Sequence, residues 1–246
     1  MNKNLLKRIV LTSAIAVLGV STSFAALVME RDQSVDTAPS VGMYRFEVPV
    51  ELQGTYNSAG VANLTASMEK EPNTLSMNVA HVKGNPSESY VVEIYKDLAA
   101  IETHRKSDHY QTFVNEVGSK LTNRKMYDVQ SVLLFEKKEA LSIVNDGKAV
   151  VTLTEFTVDS NEIDTVQRQY QLDMERAVRD DAGYKAGYVL RERNAKNRWY
   201  VIQIYSDQEA LTKHLNSPGY RFMMSQIQGS LQGVTTKVLD GDILVN

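Results

Sequence analysis

Two stretches of this chain share one pattern: DLAAIETHRKSDHY at residues 97–110 and DQEALTKHLNSPGY at residues 207–220. Both keep Asp, Ala, His, Ser and Tyr at the same internal spacing, offset by 110 residues. When the comparison is widened to residues 90–110 and 200–220, nine of the 21 positions are identical without a gap. This agreement predicts an internal repeat of about 100 residues, so the chain is expected to contain two copies of one domain.

Each repeat contains the same order of predicted elements. Runs rich in β-branched and aromatic residues predict strands, and apolar residues that step by three and four predict helices. The resulting order is βαββαβ, the ferredoxin-like plan, with an antiparallel sheet and two helices on one face. The predicted strands lie at residues 43–50, 74–82, 89–95 and 127–136, and at 150–158, 184–192, 198–205 and 235–245.

The strands are apolar on both sides, so the face of each sheet that the helices leave open also needs a cover. A twin repeat supplies that cover. We therefore predict an α+β fold in which two ferredoxin-like domains pack sheet to sheet within one chain, as two identical subunits would otherwise do.

The N-terminus predicts export. Residues 1–25 combine a positively charged start, a short apolar core and small side chains before Ala25, which is typical of a secretory signal peptide. The alternative is an uncleaved N-terminal anchor. Cleavage after Ala25 predicts a periplasmic or secreted protein. The remaining predicted boundaries are a flexible tether at 26–40, domain 1 at 41–137, a linker at 138–148 and a divergent domain 2 at 149–246.

Charge and composition exclude several classes of protein. Cleavage would remove three positive charges and no negative ones, so the net charge falls from −3 to −6, which argues against binding nucleic acid. No other apolar run is long enough to predict a membrane span. The chain has no cysteine, so disulfides do not stabilise it, and it lacks the common nucleotide-binding and hydrolase motifs.

The repeated histidines, His104 and His214, are the candidate chemical groups. In a single helix that begins after Asp97, Ala100, His104 and Ser107 share the face turned toward the sheet. An imidazole in an apolar pocket can bind a ligand oxygen or move a proton near neutral pH. A buried histidine bonded to a backbone carbonyl is the structural alternative, and the residues alone leave both open.

A metal site is not expected from the spacing of the histidines. His104 and His109 are five residues apart, on different faces of one helix, and the chain has no HxH or HExxH motif. Side chains that can surround a pocket at His104 are Tyr90, Tyr95, Ser107, His109 and Tyr110. Of Ile94 and Tyr95, strand alternation lets only one face the helices.

The segment from Glu71 to Phe113 resembles the antibiotic biosynthesis monooxygenase domain, and most closely its quinol monooxygenase and autoinducer-degrading branch. The motifs that carry the resemblance are Glu71–Pro72, the strand YVVEIY at 90–95, and the helix with Ala, His, Ser, His and Tyr within 100–110. Repeat two resembles a divergent member of the family, because Gln203 replaces the glutamate of the strand and Gly219 replaces the second histidine.

The resemblance implies an intrachain dimeric α/β barrel with a ligand pocket between each sheet and its helices. It implies a monooxygenase that oxidises a small quinol-like or phenolic compound with O₂, without metal, flavin or haem as a cofactor. The N-terminal pattern predicts that this monooxygenase is exported. The implied partners are the aromatic substrate and O₂, with homo-oligomerisation as a further option. The alternative function is non-catalytic binding of a small apolar or aromatic ligand outside the cytoplasm.

The resemblance also assigns roles to residues. His104 would be the base or hydrogen-bond partner of the substrate. Substrate-binding roles fall on Glu93, Tyr95, Ser107, His109 and Tyr110, and their second-repeat counterparts are Tyr205, His214, Ser217 and Tyr220.

Overall fold

The computed structural model describes residues 39–246, so the predicted signal peptide and nearly all of the predicted tether lie outside the described residues. The strands are β1 (Ser40–Glu47), β2 (Thr74–Val82), β3 (Asn85–Tyr95), β4 (Thr122–Tyr127), β5 (Val129–Glu136), β6 (Ser142–Val144), β7 (Val150–Val158), β8 (Tyr184–Glu192), β9 (Arg198–Tyr205) and β10 (Leu231–Val245). The helices are α1 (Gln53–Lys70), α2 (Leu98–Lys106), α3 (Asp108–Glu116), α4 (Ile163–Asp180), α5 (Gln208–Asn216) and α6 (Pro218–Ile227). Within this range no helix is both long and apolar enough to cross a membrane.

The strands form one antiparallel sheet that closes on itself. The hydrogen-bonded order is β4-β1-β3-β2-β10-β7-β9-β8-β5, and the short β6 pairs with β10 beside this path. The two ends of the order, β4 and β5, are halves of one strand interrupted only at Asp128. The predicted barrel of two ferredoxin-like repeats in one chain is therefore confirmed.

The second half of each repeat's last strand pairs with a strand of the other repeat. β5 pairs with β8 from Val129 opposite Glu192 onward, and β10 pairs with β2 from Leu239 opposite Val82 onward. The first halves, β4 and the start of β10, pair with the first strand of their own repeat. The two repeats thus share backbone hydrogen bonds and cannot separate without exposing strand edges.

Alternation along β3 divides its side chains between two cores. Ile94 and Tyr90 belong to the cluster inside the barrel, whereas Tyr95 belongs to the cluster between the sheet and the helices of repeat one. The expectation that Tyr90 joins His104 is therefore wrong. The Tyr90 hydroxyl instead donates to Glu88 at 2.8 Å.

The element boundaries differ from prediction mainly at the ends of strands. β2, β7, β8 and β9 have the predicted bounds. β1 ends at Glu47, because Pro49 begins a turn of 3₁₀-helix at Val50–Leu52. The last strand of each repeat begins four or five residues earlier than predicted, and β6 lies within the predicted linker.

Candidate active site

The segment that carries His104 is two short helices rather than one. α2 ends and α3 begins at Ser107, whose backbone is extended with φ −70° and ψ 148°. The Ser107 hydroxyl accepts the Tyr110 amide hydrogen at 3.3 Å, as an N-cap does, and donates to the His104 carbonyl oxygen at 2.7 Å. Ala100 and His104 share the buried face of α2 as predicted, but the extension of that face to Ser107 is wrong, because the chain turns there.

This turn brings both histidines of the segment to one buried carboxylate. Glu71, which follows α1, lies 3.2 Å from His104 Nδ1 through Oε2 and 2.7 Å from His109 Nε2 through Oε1. Thr74 donates its hydroxyl to the same carboxylate at 2.8 Å. Burial alone would raise the pKa of Glu71, but the hydrogen bonds from His104, Thr74 and His109 hold it below its usual range. The expected separation of His104 and His109 is thus wrong.

The contact with Glu71 decides which nitrogen of His104 is an acceptor. A carboxylate only accepts hydrogen bonds, so Nδ1 carries the ring proton and Nε2 of the neutral ring has a lone pair. His104 is 1% exposed, and its Nε2 has no hydrogen-bond partner among residues 39–246. A buried acceptor without a partner is unfavourable, and the hydroxyl group of a ligand would satisfy it.

His104 lines a cavity between the outer face of the sheet and the helices of repeat one. The cavity volume is about 40 Å³, counted as the space open to the centre of a water-sized sphere, and its mouth opens to solvent. Its walls are mostly apolar, and its polar groups are Asn63, Glu93, His104 and Arg105. The aromatic side chains of the wall are Tyr44, Phe46, Tyr56, Tyr95, Tyr110 and Phe113.

The predicted substrate-binding residues fall into two groups. Glu93, Tyr95 and Tyr110 line the cavity, and the rings of Tyr95 and Tyr110 lie 5.7 Å and 4.8 Å from the His104 ring. Ser107 and His109 lie on the Glu71 side of that ring, where Ser107 Oγ is 3.0 Å from His109 Nε2. They hold the turn and the carboxylate in place and do not belong to the cavity wall.

Two other polar side chains can orient a ligand in this cavity. Glu93 accepts a hydrogen bond from the Tyr95 hydroxyl at 3.0 Å, and burial raises the pKa of its carboxyl above the usual value. Asn63 Oδ1 is buried without a partner among the described residues. Asn63 was missed from the sequence, because nothing in the pattern of α1 distinguishes a polar residue that faces a cavity.

The corresponding histidine of repeat two has charged neighbours on both nitrogens. His214 Nδ1 lies 3.0 Å from Asp181, the counterpart of Glu71, and Nε2 lies 3.4 Å from Asp173, the counterpart of Asn63. The second distance is long for a hydrogen bond, so that contact is mainly electrostatic. Burial opposes ionisation of Asp173, but His214 and Arg176 hold its pKa below the usual value. His214 is a structural group in this arrangement.

Arg176 occupies the place that His109 has in repeat one. Its guanidinium lies 2.8 Å from Asp173, 3.2 Å from Asp181 and 3.2 Å from Ser217 Oγ. The counterpart of His109 is Gly219, where any side chain would collide with Arg176. Repeat two therefore completes its acid–histidine pair with a permanent cation instead of a second imidazole.

At one position of the cavity wall, repeat two carries a much larger side chain than repeat one. Tyr170 stands at the counterpart of Gly60, which lines the cavity, and stacks on Phe156 with ring centroids 5.9 Å apart. The predicted residues of repeat two pack together: Tyr205 and Tyr220 lie against His214, and Ser217 caps α6. Two more small-to-large pairs of counterparts are Thr74/Tyr184 and Ser89/Trp199.

From the sequence, Glu71 stands out only as part of a family motif, yet its carboxylate contacts both His104 and His109. A signal for it existed in the repeat, because Asp181 lies 110 residues later with the same chemistry. The repeat thus marks an acid at equal offset from each histidine, although this spacing alone does not predict that the two groups touch.

Solved structures with the same fold span nearly the whole chain. A candidate monooxygenase from Lactobacillus acidophilus has TM-score 0.73 and 18% identity, covering 84% of this chain and 95% of that one. A candidate monooxygenase from Fusobacterium nucleatum has TM-score 0.71 and 21% identity, covering 86% and 96%. An anthrone oxidase-like protein has TM-score 0.53 and 10% identity, covering 85% and 93%. Identities this low show the fold alone.

A sequence profile assigns the family. The profile of the family described as antibiotic biosynthesis monooxygenase matches residues 41–116 and 149–225, which together span more than half of the chain. One match falls in each repeat, as a tandem duplication requires. A comparison with curated proteins finds no match. The chain therefore belongs to the antibiotic biosynthesis monooxygenase family, with two copies of its domain in tandem.

Proposed function

We propose that this protein is a monooxygenase that oxidises a small quinol-like or phenolic compound with O₂ in the cavity of repeat one. The observation that carries the proposal is His104 Nε2, a buried acceptor without a described partner in the wall of an aromatic-lined cavity. Membership of the family supports a monooxygenase or ligand-binding role. A phenolic hydroxyl is one donor that such an acceptor can bind, and the resemblance to the quinol branch of the family favours that substrate class.

In this mechanism His104 takes the proton of a substrate hydroxyl on Nε2. The ring becomes an imidazolium, whose charge the Glu71 carboxylate stabilises across 3.2 Å at Nδ1. The substrate becomes a phenolate, which donates electrons to O₂ more readily than the phenol does. Because the anion itself reduces O₂, the proposed reaction requires no cofactor.

The overall change balances for a quinol. One oxygen atom forms a C–O bond on the ring in place of a hydrogen, and the other leaves as water. A pair of electrons from hydroxylation and a pair from conversion of the quinol to a quinone together reduce O₂. His104 returns its proton to the oxygen that leaves, so the enzyme ends in its starting state.

Orientation of the substrate falls to Glu93 and Asn63. Burial favours the protonated form of Glu93, so its carboxyl can donate to one oxygen of a quinol. Asn63 Oδ1 lacks a partner among the described residues and can accept from another hydroxyl. Tyr95 and Tyr110, whose rings lie against His104, form the apolar wall beside the reacting group.

Replacement of His104 tests the mechanism directly. His104→Gln keeps a polar side chain but removes the base, so O₂ consumption with a responsive quinol is expected to fall by about 10²-fold or more. His81→Gln is the control, because His81 pairs with Asp242 at 2.8 Å and does not line the cavity. Equal rates for wild type and His104→Gln would contradict the proposal.

The apolar wall of the same cavity also suits a second function, the binding of a small aromatic ligand without chemistry. A panel of quinols and phenols separates the two functions when O₂ consumption and calorimetric binding are measured in parallel. Tight binding of a compound with no O₂ consumption by any member of the panel would favour the binding protein.

We also propose that the protein is exported, on the basis of the sequence pattern of residues 1–25. Mass spectrometry of the protein recovered from its producing cells checks this. A mature chain that begins at Ala26 is expected, and recovery of the intact N-terminus would contradict cleavage.

A further inference from the structure

We infer that Glu71, His104 and His109 form a binding site for one divalent transition-metal ion, and that this ion competes with the proton on His104. The inference goes beyond the proposed oxygenase reaction, which uses no metal. One carboxylate oxygen and one nitrogen from each of the two imidazoles lie within 4.8 Å of one another.

The spacing of these atoms fits a common ion. Metal–ligand distances of about 2.0–2.2 Å place neighbouring ligand atoms about 3.0–3.4 Å apart. His104 Nδ1 lies 3.2 Å from Glu71 Oε2 and 3.3 Å from Oε1, whereas His109 Nε2 lies 2.7 Å from Oε1. All three ligand atoms lie within 4.8 Å of one another, so closure around an ion requires the two imidazole nitrogens to approach each other.

The donor set is one that divalent first-row metals prefer. Two imidazole nitrogens and one carboxylate form the facial set that binds Fe²⁺ with positions left open, and the same groups bind Zn²⁺ and Co²⁺. Hydroxyl oxygens lie beside the nitrogens: Ser67 Oγ is 3.2 Å from His104 Nδ1, and Ser107 Oγ is 3.0 Å from His109 Nε2. The site has access to solvent past His109, whose side chain is 14% exposed.

The corresponding position of repeat two already holds a positive charge, which supports a cation site at Glu71. There the counterpart carboxylate, Asp181, contacts His214 on one side and the Arg176 guanidinium on the other. Arg176 also occupies the space of the missing second imidazole, at Gly219. A built-in cation thus completes the site in repeat two, whereas repeat one offers two imidazoles and a carboxylate to an external cation.

Metal binding would change the character of the cavity. An ion on His104 Nδ1 displaces the proton from that nitrogen, so the neutral ring carries its hydrogen on Nε2 instead. The group that faces the cavity becomes a donor, and it can no longer accept the proton of a substrate hydroxyl. The metal-loaded protein is therefore expected to lack the base of the proposed reaction.

Direct binding of metal to the full chain tests the site. Co²⁺ is added to metal-free protein and followed by its visible absorption, and Zn²⁺ is titrated by calorimetry. One ion per chain is expected, and His109→Ala and Glu71→Gln should each weaken binding by at least about tenfold. His81→Ala is the matched control and should bind as wild type, because His81 lies in repeat one but pairs with Asp242 instead of Glu71. No binding by wild type, or equal binding by all variants, would overturn the site.

A second measurement tests the competition and keeps the two proposals separate. O₂ consumption by metal-free protein is expected to fall as Zn²⁺ saturates the site and to recover when a chelator removes it. Unchanged O₂ consumption at saturating Zn²⁺ would overturn the competition. Should the protein consume no O₂ with any compound, the oxygenase proposal fails, and the Co²⁺ absorption of wild type and variants still decides the metal site.

Discussion

At the scale of single residues, the two repeats differ most in what faces the far nitrogen of the histidine. In repeat one the neighbour is a cavity that Asn63 also lines, and His104 Nε2 has no partner among the described residues. In repeat two the neighbour is the buried carboxylate of Asp173. The same repeated histidine is therefore an available acceptor in one copy and part of an ion network in the other.

Asn63→Asp is expected to convert the first arrangement into the second. The new carboxylate would attract the proton that Nε2 takes up and hold His104 as an imidazolium between two acids. O₂ consumption should then fall by about 10²-fold, while circular dichroism shows the folded protein unchanged. Asn63→Leu, which removes the amide without adding a charge, separates loss of the amide from gain of the carboxylate. Full activity of Asn63→Asp would contradict the role given to Nε2.

Asp173 gives a prediction about pH. Its pKa is lower in the folded chain than in the unfolded chain, so its stabilising contribution is complete above the unfolded value and is lost as pH falls through the folded value. Asp173→Asn is expected to reduce the free energy of unfolding near pH 7 by about 1.5–3 kcal/mol, because charge-assisted bonds are lost. The difference in the free energy of unfolding between wild type and variant, measured with urea, should become smaller as the pH falls through the folded-state pKa of Asp173. A constant difference would contradict this.

At the scale of elements, the sequence was sufficient to predict helix starts and strand bounds wherever the interaction that sets them is between neighbours in the chain. Asp97 and Asp207 stand directly before helical patterns, where an N-cap is expected, and each accepts the backbone amide hydrogen three residues later, at 2.9 Å and 2.8 Å. The strand bounds of four of the elements followed from runs of β-branched and aromatic residues. These features depend on neighbours in the chain, which the sequence displays.

The break between α2 and α3 and the contacts of Glu71 were not predictable in the same way. The helical spacing of Ala100, His104 and Ser107 continues through the break, so periodicity hides it. The one local cue is in repeat two, where Pro218 follows Ser217 as residues at the first helical position and its cap often do. Proximity of Glu71 to His109 comes from packing of α1 against the sheet, which no spacing encodes.

Helix α1 forms one wall of the cavity, and Gly60 controls how much room it leaves. A Cβ at Gly60 would meet Ile243 Cδ1 at 3.2 Å, whereas a Cβ at Gly54, in the same helix, would meet nothing within 4 Å. Gly54→Ala should raise the free energy of unfolding by up to about 1 kcal/mol through helix propensity, whereas Gly60→Ala gains less because Ile243 must shift. Only Gly60→Ala is expected to weaken binding of a cavity ligand in calorimetric titration. Equal affinity of the two variants would show that Gly60 does not shape the site.

At the scale of the whole molecule, the exchanged strands make the candidate site a property of both repeats. Ile243 belongs to the last strand of repeat two, yet it lines the cavity beside α1 of repeat one. Its neighbour Leu244 points the other way, into the barrel interior that both repeats build. A repeat without its twin would therefore lose a cavity wall as well as half of its sheet pairing.

This shared architecture predicts that the chain unfolds as one unit. Leu244→Ala removes a fully buried side chain and should cost about 2–5 kcal/mol, which lowers a single calorimetric transition by several degrees, at roughly 2–4 °C per kcal/mol. Val234→Ala, on the same strand but 49% exposed, is the control and should change stability by less than about 0.5 kcal/mol. Two resolved transitions, with only one of them shifted by Leu244→Ala, would mean that the repeats fold separately despite the exchanged strands. A single shifted transition would tie the stability of the cavity in repeat one to packing contributed by repeat two.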